Sequence, residues 1–220
     1  MGEPGGLSRP TSAQQVADYI RRMIFDNKLR AGERVPQDEI AATLRVSRVP
    51  VREAVIALDR EGWVTTEAHR GAFVNGLDEN TVLDHYEFIG MLYGFAARRA
   101  TERGTPEGVA TLLELGQQLL AAEDPDELWD TNSAFLRQLL NMAQSRRITA
   151  MARVLAISLV PGKYFEEVPG VVRVHKKGIR AIMSAVKAGD GEGAEEQYRA
   201  MLRTEAASVV SLLRSRGLLD

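Results

Sequence analysis

Residues 46–64, V-S-R-V-P-V-R-E-A-V-I-A-L-D-R-E-G-W-V, constrain the fold more than any other stretch: a helix starts abruptly, stops at a glycine and runs into a β-prone segment. Ser47 is the predicted N-cap, its hydroxyl suited to accept a hydrogen bond from a first-turn amide. Pro50 falls inside the first turn, where a missing N–H costs nothing. Val51, Ala54, Val55 and Leu58 recur at helical spacing and are expected to pack inward. Arg48 and Arg52 then lie one turn apart on an exposed flank at the start of the helix. Forked guanidinium donors placed there suit a guanine edge or a phosphate.

The neighbouring residues extend this pattern. Thr11 or Ser12 opens a helix with Val16, Tyr19, Ile20, Met23 and Ile24 on one face, ending near Asn27. A connector turns at Gly32, and Pro36 to Leu44 form a short second helix. After Gly62, Trp63–Thr66 and Ala72–Val74 are β-prone runs separated by the turn Glu67–Gly71. Three helices and a small β-hairpin over residues 12–76 make a winged helix-turn-helix. Residues 1–11 are expected to be a disordered tail, with neither the basic nor the apolar region of a signal peptide.

Residues 77–220 contain no credible strand, so the chain as a whole reads as mainly α. Thr105-Pro106-Glu107 and Asp124-Pro125-Asp126 each combine an N-cap, an N1 proline and an acidic first turn. Pro161-Gly162 and Val168-Pro169-Gly170 are breaks, and Asp190 is placed to cap a long last helix. About six amphipathic helices suit an all-α antiparallel helical bundle.

Composition narrows the function. The absence of cysteine excludes disulfides and thiolate metal sites and fits a reducing cytoplasm. No apolar run approaches the length needed to span a membrane. Residues 1–76 carry 11 Lys+Arg against 10 Asp+Glu, a net of +1, and residues 77–220 carry 17 against 20, a net of −3. Long-range attraction to nucleic acid is therefore weak, and binding must depend on where a few arginines sit.

The pattern S-R-x-P-V-R-E-A-x-x-x-L-x-x-E-G at residues 47–62, with R-G-A-F-V at 70–74, resembles the winged-helix domain of GntR-type bacterial transcription regulators. The helical remainder resembles the effector-binding (FCD-type) domain of the FadR-like branch. The resemblance implies a homodimer that binds a short palindromic double-stranded operator, usually as a repressor, under control of a small molecule. It makes Ser47, Arg48, Val49 and Arg52 the contacts of the recognition helix, and Arg70 and Gly71 the wing tip near the minor groove. Arg45 stands where the family commonly has glycine, and a positive φ there would cost arginine about 1 kcal/mol. Asp38 stands near a basic DNA contact of the acyl-CoA-responsive members, and an acid there repels phosphate.

Many members of this branch hold a divalent metal with one aspartate and three histidines. Those positions are filled here by Asn132, Leu136, Ile179 and Met201, so no metal or other cofactor is expected. His175 lies one turn before Ile179 but has no evident partner ligand, with His69 and His85 far off in the chain. Ile89 and Tyr93 replace the family's inward Arg and Glu, which removes a bidentate clamp for small organic acids. Ile89, Tyr93, Asn132, Leu136, Ile179 and Met201 either line a pocket for an apolar or aromatic effector or simply fill a core. Arg153, Arg137 and His175 are further pocket candidates, or surface residues.

Two other function classes compete with a regulator. A helical enzyme would need a nucleophile–base pair, a phosphate loop or paired carboxylates, and none stands in a recognisable frame. A protein-interaction module with an accessory winged helix fits the near-neutral charge but not the placement of the arginines.

Overall fold

A computed structural model describes residues 11–155, 159–160 and 163–219, so the tail expected over 1–11, Thr11 apart, and the break at Pro161-Gly162 lie outside the described residues. The chain divides into two compact units, one holding residues up to Leu77 together with residues 216–219, the other Asp78–Ser215.

In the first unit, α1 (Ser12–Phe25), α2 (Gln37–Leu44) and α3 (Arg48–Arg60) precede β1 (Val64–Glu67) and β2 (Gly71–Val74). Thr11 and Gln14 form a reciprocal capping box at the start of α1. Val16, Ile20 and Ile24 of α1 and Val51, Val55 and Leu58 of α3 are buried, and α1 packs on α3. Arg21, itself buried, closes the edge of this contact on Glu61 at 2.5 Å. Arg45 ends α2 at φ +53°, ψ +42°, the left-handed conformation in which arginine replaces the more permissive glycine.

The two strands pair antiparallel, Val64 opposite Val74 and Glu67 opposite Gly71. Residues 32–35, read from the sequence as a plain connector, pair with the outer edge of β2. Gly32 N–H donates to Val74 O at 2.8 Å, and Val35 N–H donates to Ala72 O at 2.8 Å. The segment lacks the alternation that marks a strand, and its pairing comes from tertiary placement.

The second unit consists of α4 (Glu79–Arg103), α5 (Pro106–Ala121), α6 (Pro125–Met142), α7 (Arg146–Leu155), α8 (Tyr164–Glu167), α9 (Val171–Ala188) and α10 (Gly191–Ser215). The helix beyond the six expected is α8, a single turn too short to show periodicity. Thr105, Asp124 and Asp190 each accept first-turn amide hydrogen bonds, as their sequence context requires. α4 packs along α10, and Gly94 permits their close approach, since a Cβ there would lie 2.9 Å from Glu195 O. The helical unit ends at Ser215 and not at the last residue. Gly217, at φ +67°, turns the chain, Leu219 bridges Leu77, and the Arg216 guanidinium sits 4.2 Å from the Phe25 ring centroid.

Candidate functional site

α3 begins at Ser47, whose backbone has N-cap geometry, but its hydroxyl makes no capping hydrogen bond, contrary to the sequence expectation. The first-turn amides at this end, without that cap, suit an outside acceptor such as a phosphate. The inward residues Val51, Ala54, Val55 and Leu58 are buried, which turns Val49, Arg52 and Ile56 outward. Val49 is 63% exposed and Ile56 52%, so apolar contacts suited to a thymine methyl flank an exposed guanidinium.

Arg48 is also exposed, and its Nε lies 2.9 Å from Asp38 Oδ1 on α2. Asp38 therefore does more than repel phosphate: it orients the arginine beside it. Arg34, Asp38, Arg48 and Arg52 line one cleft of about 430 Å³ at the starts of α2 and α3. Arg34 was not among the sequence candidates. It is brought to the cleft by the pairing of residues 32–35 with β2, and its guanidinium passes directly over Gly71. Gly71 has φ +109°, and a Cβ there would meet Arg34 Nε at 2.6 Å, so both backbone and space call for glycine. Arg70 projects from the wing turn, ion-paired with Glu67 and with its guanidinium 5.4 Å from the Phe73 ring centroid.

The helical unit contains a cavity of about 210 Å³. Of the pocket candidates, Ile89, Tyr93, Asn132, Leu136, His175 and Met201 line it. Ile179 does not; it is fully buried in the core, one turn along α9 from His175. Arg153 and Arg137 are exposed on α7 and α6 and do not line it either. An amphipathic helix turns such charged residues to solvent unless a partner holds them inward.

The centre of the cavity wall is a hydrogen-bond chain that the sequence does not disclose. Glu205 of α10 is 2% exposed; its Oε1 lies 2.8 Å from His175 Nδ1, and its Oε2 accepts from the Tyr164 hydroxyl at 2.8 Å. His175 Nε2 lies 3.0 Å from Asn132 Oδ1. Burial raises the Tyr164 hydroxyl well above the usual phenol range, and the Glu205 charge adds to the effect. Burial likewise raises Tyr86, Tyr93 and Tyr198. Glu205 sits on a helix stripe with Leu202 and Val209, where a lone acid reads as a surface residue. Only its partners on α8 and α9 reveal it.

These residues do not fit a divalent metal. The four positions where the resemblance places ligands offer one amide oxygen, one thioether and two hydrocarbon side chains, and the nearby imidazole already uses both nitrogens. Among the described residues no group of three His, Asp or Glu side chains is arranged to hold an ion.

Comparison with known proteins agrees with this division. The profile of the bacterial regulatory proteins of the gntR family matches residues 12–74, and that of the FCD domain matches residues 84–204. An uncharacterised HTH-type transcriptional regulator of Mycobacterium tuberculosis is 46% identical over 92 residues, covering 42% of this chain and 38% of that protein. The match thus spans less than half the length of that relative. A probable D-xylose utilization operon transcriptional repressor of Paenarthrobacter nicotinovorans is 27% identical over 97% of this chain and 94% of its own. The solved structure of McbR/YncC from E. coli shares the fold, with a TM-score of 0.64 at 21% identity over 93% of this chain and 98% of its own.

Proposed function

This chain belongs to the GntR family of bacterial regulatory proteins, with an FCD domain following its winged helix, and from that premise we propose that it is a repressor released from or locked onto its operator by a small molecule. It is a DNA-binding transcription regulator and not an enzyme. One observation carries the reading of its DNA surface: exposed Arg48 and Arg52, with Val49 between them, at the start of a helix whose other face is buried. In the complex, α3 enters the major groove with these side chains toward base edges, while Arg70 and the Gly71 turn approach the minor groove. Arg34 joins them as a phosphate contact.

The chain acts as a homodimer on a palindromic operator in the cytoplasm. An exposed apolar stripe on α4, formed by Phe88 (59% exposed), Met91 and Phe95, supports self-association, because a patch of this kind is normally covered. The 210 Å³ cavity receives the effector without a metal, its aromatic and aliphatic lining favouring an apolar or aromatic molecule. The repressor name of the Paenarthrobacter relative favours the negative sign of regulation.

Footprinting on DNA upstream of the chain's own gene tests this reading. Two protected half-sites, centred about one helical turn or a multiple apart, are expected. Protection of a single half-site, or none above that on unrelated DNA, contradicts it.

A further inference from the structure

We propose that the helical cavity is a receptor for a small aromatic amine, held as its ammonium ion between aromatic walls and the buried Glu205 carboxylate. This rests on the reading that the cavity is the effector site and supplies the ligand's chemical class.

Size sets the first limit. A cavity of about 150 Å³ admits benzene, so 210 Å³ takes one ring with a short substituent. The walls set the second. Tyr86, Trp129 and Phe165 face the space, and the Tyr93 and Tyr198 rings stack at 5.6 Å. Such faces attract a cation through their quadrupoles, most strongly where water is excluded.

Charge decides the rest. No lysine or arginine is among the described residues lining the cavity, while a carboxylate is. Each Glu205 oxygen makes one side-chain hydrogen bond, to His175 or Tyr164, which leaves acceptor capacity on both for an ammonium N–H. The Asn132 amide can accept from or donate to His175 Nε2, so the imidazole that holds Glu205 is itself held from its other side. A ligand carboxylate would instead face Glu205, with no lysine or arginine beside the His85 and His175 imidazoles to offset the repulsion.

Isothermal titration of the full chain with benzylamine, benzyl alcohol and benzoate compares one ring carrying three head groups. Benzylamine is expected to bind about tenfold or more tighter than benzyl alcohol, with benzoate weakest. Glu205→Gln should bring benzylamine to the level of benzyl alcohol and move the alcohol by less than about threefold. Leu136→Trp, which fills the cavity from α6, should abolish binding of both. Benzoate binding tightest, equal binding of all three, or no binding by any of them overturns the proposal, and the ligand comparison on the unmodified chain stands even if Glu205→Gln does not fold. Anisotropy of labelled operator DNA in the same samples separates the two readings. Amine binding that leaves DNA affinity unchanged removes the effector role but keeps the ligand class. Benzoate that changes DNA affinity removes the ligand class but keeps the effector role.

Discussion

Replacing Glu205 by leucine removes an acceptor that ties Tyr164 of α8 and His175 of α9 to α10. The Tyr164 hydroxyl and His175 Nδ1, each 2.8 Å from a Glu205 oxygen, would be left as buried donors without that partner. Stranding a buried donor costs about 1–3 kcal/mol, so two cost roughly 2–6 kcal/mol. Burying leucine in place of the carboxylate returns up to about 2 kcal/mol. Taking the full return leaves about 0–4 kcal/mol, about 2 kcal/mol at the midpoint, against the ~5–15 kcal/mol by which a typical domain is stable. Glu205→Gln keeps an acceptor for Tyr164 and can donate to His175 in its other tautomer, so it should cost only about 1 kcal/mol. Urea unfolding of the full chain measures both. In a Trp63→Phe background the emission of Trp129, whose ring lies 6.4 Å from that of Phe165, reports on the helical unit alone. Adding His175→Leu to Glu205→Leu removes one stranded donor and should recover part of the loss. A Glu205→Leu protein within about 0.5 kcal/mol of its parent refutes the reasoning, since that is the range of inert surface changes.

Two further outcomes follow from the same structure. Tyr86, Tyr93, Tyr164 and Tyr198 are all raised by burial, whereas in the unfolded chain they ionise near pH 10. Their contribution is therefore complete below about pH 10 and is lost above it, as the unfolded chain releases protons the folded one keeps. Stability should fall by up to about 1.4 kcal/mol per pH unit per tyrosine, read from urea midpoints on either side of pH 10, and an unchanged midpoint would contradict this. Asp38→Ala frees Arg48 from the carboxylate 2.9 Å away. Affinity for DNA of unrelated sequence should rise, and its salt dependence steepen by about one released counterion; an unchanged slope would show that Arg48 makes no new phosphate contact.

The DNA-reading unit was legible because each of its devices is local. The stripe Val51, Ala54, Val55, Leu58 fixes which face of α3 is buried, and that face fixes the outward position of Arg48 and Arg52. Arg45 at positive φ and the turn at Gly71 were also visible as departures from, or matches to, a known pattern. Arg34 was not, because its place depends on the pairing of residues 32–35 with β2, a contact across nearly forty residues. The helical cavity was legible only in part. The family resemblance placed Ile89, Tyr93, Asn132, Leu136 and Met201 at pocket positions but does not distinguish a cavity wall from the core that Ile179 fills. His175 looked isolated because its partner, Glu205, lies 30 residues away on another helix. One-turn α8, which brings Tyr164 to the same carboxylate, has no periodicity to read.

The central claim is that the start of α3 reads DNA sequence. Anisotropy titration of Arg52→Ala against the footprinted operator and against a scrambled duplex of equal length tests it most directly. A loss of about 1–3 kcal/mol on the operator, with a much smaller loss on the scrambled duplex, is the predicted result. Undiminished operator affinity, or an equal loss on both duplexes, would contradict it.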